Sequence, residues 1–250
     1  MARQLLTLLS TALLGSGIVL LLFYGVSLSG ASRAHQQGIE AFRSAKETQL
    51  VAAAADPTVV TDVVLEVDAA AERRSLDVAL DSPDKSLWSE KRITDYEKYS
   101  RAASPDELPE GIMRIPSVDL ELPVFTGTQE ANLTRGAGRI EGTAPLGSFG
   151  NTGIAAHRDG YFRSLKDVSV GDSIMVETLA GVDSYRIDEL LIVQPEDVHV
   201  LDPTDNKTLT LVTCYPFYYV GSAPQRFIVR ASKLSEFDVV SGMRAGVFAA

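Results

Sequence analysis

From Gly111 onward the chain alternates. "SVDLELPVF" sets Val118, Leu120 and Leu122 on one side and Asp119 and Glu121 on the other. "DSIMVETL", "SYRIDELLIVQP", "TLTLVTC" and "QRFIVRA" repeat the pattern, separated by turn-forming clusters such as "GSFGNTG" and "DPTDN". Period two points successive side chains to opposite faces of a strand, and short strands without regularly interleaved long helices build a sandwich or a barrel. The expected fold of residues 111–234 is therefore all-β, with one short helix near "QEANLTRG". A chain of 250 residues with 45% hydrophobic content can enclose such a core.

The first 110 residues obey other rules. No residue from Gln4 to Ser32 is charged, and this apolar run exceeds the roughly 20 residues that a bilayer core requires and the roughly 7–15 of a signal-peptide centre. Residues 1–32 are expected to be an uncleaved transmembrane signal anchor; a signal peptide cut near "SLSGASRA" is the alternative. Arg33, Arg43 and Lys46 follow the span while only Arg3 precedes it, so the positive-inside bias argues against placing the bulk of the chain outside the cytoplasm, and the very short N-terminal tail argues for it. Residues 33–110 read as a spacer. Its start, "RAHQQGIEAFRSAKETQLVAAAA", suggests a helical stalk with Ile39, Phe42 and Ala45 as its apolar positions. Residues 56–110 carry fourteen acidic and seven basic side chains, a net of −7, which reads as a solvated, partly ordered segment. A chain at −10 overall without a basic surface excludes nucleic acid as a partner. Residues 235–250 form a tail without an assigned role.

Cys214 is the only cysteine, so no intrachain disulfide can form. In "TLTLVTC" the alternation puts Thr208, Thr210, Val212 and Cys214 on one face and Leu209, Leu211 and Thr213 on the other. The leucines mark the core side, which leaves the thiol facing away from it at a strand end, a common place for chemistry on a rigid scaffold. Free cysteine is also a common core filler, and the residue alone leaves both readings open.

Of three histidines, His35 and His199 lie in unrelated settings, whereas His157 ends "GNTGIAAH" much as Cys214 ends its strand. A thiol near pH 7 needs an adjacent imidazole or cation to become a thiolate, and the imidazole can then protonate a leaving amine. Acyl transfer also needs a donor for the developing oxyanion. Arg226, Arg230 and Arg158 all compete for that role, and the alternation does not choose among them.

These residues resemble the sortase family of membrane-anchored cysteine transpeptidases. Thr210, Leu211, Thr213 and Cys214 fill every fixed position of the family's TLxTC signature, with "GNTGIAAH" before it and "PQRFIVRA" after it in family order, over about Met113 to Lys233. The resemblance implies a closed, mostly antiparallel β-barrel with short helices. It implies Cys214 as nucleophile towards an LPxTG-like sorting motif, His157 as acid and base, Arg226 as the arginine that steadies the oxyanion and the motif, and Thr213 as a lesser contributor through its amide or hydroxyl. The partners it implies are proteins bearing a C-terminal sorting motif and an amine acceptor, either a cell-wall precursor or a pilin-like lysine. Its location would be the bacterial cytoplasmic membrane, single-pass, with the catalytic domain outside. "CYPF" and "HRDGYF" look most like class D and the single sortases of Gram-negative bacteria, while "AAH" stands where the family has "AGH". No cofactor is expected and, without a recognisable acidic cluster, no metal. Two rivals remain: a non-catalytic tethered β-domain that binds an envelope partner, and an L,D-transpeptidase-like enzyme, whose usual histidine-glycine pair before the cysteine is missing here.

Overall fold

The structure, a computed structural model, describes residues 35–49, 88, 90–102, 108–219 and 221–235. The expected transmembrane span and the C-terminal tail after Ser235 lie outside these residues, and no helix among them is long and apolar enough to cross a membrane.

Eight strands close into one barrel: β1 (Gly111–Ile115), β2 (Leu120–Thr126), β3 (Ala137–Arg139), β4 (Asn151–Ala155), β5 (Ser173–Thr178), β6 (Gly181–Val193), β7 (Thr208–Tyr215) and β8 (Gln225–Lys233). Their order around the wall is β1-β2-β3-β4-β7-β8-β6-β5, closed by β1 against β5. The pairs β2–β3 and β4–β7 are parallel and the other six antiparallel, in line with the mostly antiparallel barrel expected. The interior is filled by the alternate residues that the sequence marks, among them Leu122, Val124, Ile154, Val176, Leu209, Leu211 and Val229. Burying each such side chain contributes roughly 1.5–3 kcal/mol.

The alternation misplaces one end. Val118 lies in a 3-10 turn over Pro116–Val118 rather than on β2, because Asp119 adopts φ 50 and breaks the extended chain there. Strands β1 and β3 escape the pattern because five and three residues are too few to display a period.

The segment expected to be a helical stalk and solvated spacer holds two helices, one packed on the barrel wall and the other on the short helix between β2 and β3. Helix α1 (35–49) has His35, Ile39, Phe42 and Lys46 at the spacing of one helix face. Ile39 and Phe42 are buried against Ile112, and Arg43 and Lys46 pair with Glu121 of β2 and Glu177 of β5. Arg114 of β1 lies between those same two carboxylates, at 2.9 Å and 2.8 Å. Helix α2 (Glu90–Ala102) packs on helix α3 (Glu130–Arg135), which occupies the short helix expected near "QEANLTRG". In α2, Tyr96 is buried edge-to-face against Trp88, with Ile93 beside them.

Candidate active site

Parallel pairing of β4 with β7 brings the C-terminal ends of both strands to one rim of the barrel. The last pair in their register is Ala155 with Val212; two residues further on each chain stand His157 and Cys214. On the other side of β7, antiparallel β8 begins at the same rim, and Cys214 pairs directly with Arg226. Directly opposed residues of an antiparallel pair put their Cβ atoms about 4.5–5.5 Å apart on the same face. His157, Cys214 and Arg226 therefore stand at three neighbouring strand ends on one rim. Such a row combines a nucleophile, a proton carrier and a fixed cation.

The strand register separates the three competing arginines. Arg230 pairs with Thr210, four residues down the strand from Cys214, and donates to the Val200 carbonyl at 3.1 Å. Arg158 donates to the carbonyls of Pro216, Tyr219 and Gly221 at 2.8–3.1 Å, which clamps the loop that follows Cys214. Arg226 is steadied by Nη1 bonds to the carbonyls of Gln225 and Ala223 at 2.9 Å and 3.4 Å. Those bonds leave its Nε and Nη2 edge for an anion.

Cys214 is half-buried, whereas Thr210 on the same face of β7 is fully buried. The difference lies in what covers the outside of the barrel. Thr210 Oγ1 donates to Asn151 Oδ1 at 2.7 Å, and Asn151 Nδ2 donates to the Val200 carbonyl, in the 3-10 turn Val198–Leu201. That cover lies at the Thr210 level, and the thiol at the strand end is accessible. Beyond the thiol, Tyr215, Phe217 and Phe227 form an aromatic cluster with ring centroids 5.2–6.2 Å apart, and the Tyr215–Pro216 peptide is cis.

Thr213 faces the interior and is buried; its hydroxyl donates to the Ala156 carbonyl at 2.8 Å. The hydroxyl therefore ties the residue before Cys214 to the residue before His157 and is not directed at a ligand. His199 is exposed on the Val198–Leu201 turn, and His35 is buried on α1. Among the described residues no three His, Cys, Asp or Glu side chains converge as a metal site.

Three neighbours of the row were not singled out from the sequence. Glu130, the first residue of α3, lies 3.0 Å from His157 Nε2 through Oε1, and Arg92 Nη1 of α2 donates to the same oxygen at 3.0 Å. The hydrogen bond to His157 holds the Glu130 carboxyl below its ordinary range, with Arg92 adding to the effect against partial burial. Trp88 stacks on Arg92 at 4.5 Å and donates its indole N–H to the Asp159 carbonyl at 2.8 Å. A signal for the segment that carries Trp88 and Arg92 was present, since Trp88 is the only tryptophan and Ile93 and Tyr96 are spaced i, i+3; nothing in the sequence marked Glu130.

A family model described as the sortase domain matches residues 113–234. The chain is 31% identical over 147 residues to sortase D of Bacillus subtilis (strain 168), an alignment covering 58% of this chain and 74% of that relative. The chain belongs to the sortase family. Its matched domain is that of a cysteine transpeptidase. Sortase A of Listeria monocytogenes serovar 1/2a is 35% identical over 108 residues, 42% of this chain, which spans about half of that relative's length (48%). Among solved structures, a Clostridium perfringens sortase D5 transpeptidase is 29% identical, with 60% of this chain and 92% of that chain covered at a TM-score of 0.47. The matched sortase domain contains His157, Cys214 and Arg226, whereas Trp88 and Arg92 precede it.

Proposed function

We propose that this sortase cleaves an LPxTG-like sorting motif through a thioester on Cys214 and passes the acyl group to an amine. The observation that carries this reading is the row of His157, Cys214 and Arg226 at one rim of the barrel. The Cys214 thiolate attacks the carbonyl carbon of the motif's threonine, and the resulting oxyanion is met by the outward edge of the Arg226 guanidinium. The C–N bond to the next residue then breaks, protonated imidazole of His157 gives its proton to the departing amine, and a thioester remains. An incoming amine attacks that thioester and loses its proton to the imidazole, and the thiolate leaves. The sequence similarity to sortase D of Bacillus subtilis supports a class D-like assignment. Residues 1–32 serve as a membrane anchor in this reading, with the barrel outside the cytoplasm and with proteins bearing a C-terminal sorting motif as partners; the uncharged run Gln4–Ser32 supports this.

Intact-protein mass spectrometry of the full chain incubated with a library of LPxTG-like peptides tests the proposal. A mass gain equal to the N-terminal peptide fragment is expected, absent in Cys214→Ala and discharged by added amine. Labelling of Cys214 by a small thiol reagent without any peptide adduct would reject the sorting-motif substrate.

A further inference from the structure

The imidazole of His157 is held by a carboxylate that the row itself does not need. Glu130 Oε1 lies 3.0 Å from His157 Nε2, and an ionised carboxylate can only accept, so Nε2 carries the proton of that bond. A neutral imidazole has one protonated nitrogen, and the partner of one nitrogen sets the tautomer of the ring. Nδ1 is then the nitrogen left to take a proton and to return it.

Glu130 is itself positioned. Its place at the start of α3 fixes its backbone, and Arg92 Nη1 donates to the same Oε1 at 3.0 Å. Arg92 in turn lies over the Trp88 ring and has Nε 3.6 Å from Asp159 Oδ2, while Trp88 is bonded to the Asp159 carbonyl two residues beyond His157. The network thus begins in the segment before the barrel, on residues preceding the matched sortase domain, and ends on the histidine.

We propose that Glu130, anchored by Arg92, is a positioning residue that locks His157 in the Nε2–H tautomer and assigns Nδ1 as the proton-transferring nitrogen of this sortase. The proposal rests on the reading of His157 as acid and base but concerns the state of the ring, which can be observed without turnover. Glu130 is one-third exposed through its side chain and opens a helix, so alanine is compatible with the local structure. The substitution Glu130→Gln would keep an oxygen acceptor for Nε2–H but lose the charge.

The experiment is nitrogen-15 NMR of the histidine side chains in the full chain, at a pH where the rings are neutral, on the parent, Glu130→Ala and Glu130→Gln. It is paired with peptide transpeptidation kinetics. The parent is expected to show His157 with Nε2 protonated and Nδ1 bare, Glu130→Gln the same tautomer, and Glu130→Ala a mixture. In kinetics, Glu130→Ala is expected to lose about 10- to 100-fold in kcat, the scale of a misplaced catalytic group, with KM within about twofold and recovery of most of the rate in Glu130→Gln. A parent ring protonated on Nδ1, or a Glu130→Ala ring that keeps the pure Nε2–H tautomer, overturns the proposal. So does an undiminished kcat in Glu130→Ala. Should no peptide be turned over by the parent, the substrate reading has failed, and the tautomer alone still decides for or against Glu130.

Discussion

Cys214 of β7 and Arg226 of β8 are a directly registered cross-strand pair. The sheet register sets the spacing of their backbones, and the bonds from Arg226 Nη1 to the Gln225 and Ala223 carbonyls hold the guanidinium at the end of its flexible side chain.

Arg226→Ala is therefore expected to lower kcat/KM by about 10²–10³-fold, the scale of a removed oxyanion donor. Arg226→Lys should recover only part of this, because an ammonium keeps the charge but not the planar fork. Arg230→Ala, which removes the bond to Val200 in the wall below, should change thermal stability more than rate. Parallel kinetics and melting curves separate the two arginines, and equal kinetic losses would contradict the role given to Arg226.

His157→Ala is expected to cost about 10²–10⁴-fold in transpeptidation, the usual worth of a positioned acid and base, while leaving the barrel folded. A rate within a few-fold of the parent, measured with the same peptide and amine, would remove His157 from the mechanism.

Thr213→Val keeps the volume of the side chain but leaves the buried Ala156 carbonyl without its hydroxyl donor. Denaturant unfolding should show a loss of about 1–3 kcal/mol, and Thr213→Ser should restore most of it. Activity should fall with Thr213→Val, because the bond joins the strand ends that carry His157 and Cys214.

His35 governs the docking of α1. Its ring stacks on Tyr161 at 4.7 Å, and Nδ1 lies 3.0 Å from the Arg135 carbonyl. Burial pushes its pKa below the ordinary histidine value, although the Arg135 carbonyl and the Glu121 charge pull the other way. A group depressed in the folded state stabilises it above the unfolded pKa of about 6.5, and this contribution is lost as pH falls towards the folded value. Protection of the 35–49 amides relative to their intrinsic exchange rates should fall as pH is lowered from about 7.5 to about 5, values taken on either side of about 6.5. His35→Phe should flatten that dependence, and a parent profile without pH sensitivity in this range would sink the assignment.

Glu177 shows the same linkage at lower pH. Burial would raise its carboxyl, but the hydrogen bonds from Lys46 and Arg114 outweigh it and hold the group below the ordinary value. Its contribution is complete above about pH 4.5 and lost as pH falls through the depressed value. Glu177→Gln should loosen α1 at neutral pH and remove the part of acid unfolding that Glu177 supplies, as read from its melting temperature against pH.

Much of the molecule could be read from local chemistry. Alternation in "TLTLVTC" and "QRFIVRA" marks two strands and their inner faces because side-chain direction in a strand depends only on position parity. The same parity sends Cys214 outward and Thr213 inward, as observed. Parity cannot tell how an outer face is covered, and Thr210 is buried because Asn151 and the Val198–Leu201 turn, distant in sequence, lie over it. Helix periodicity in residues 35–49 marked Ile39 and Phe42 as apolar, but it is silent on whether that face meets water or a partner. The face meets Ile112.

The chain sequence by itself determined the strand-forming parity, the strand-end positions of the thiol and imidazole, and the family signature that contains Cys214. Only the tertiary structure decided which arginine stands opposite Cys214, that α1 lies against the barrel and α2 against α3, and that Glu130 and Arg92 hold His157. The reason is physical: parity and helix periodicity arise between near neighbours along the backbone. Register between β7 and β8, and the meeting of Arg92 with a carboxylate 38 residues away, arise only when closure of the barrel brings distant segments together.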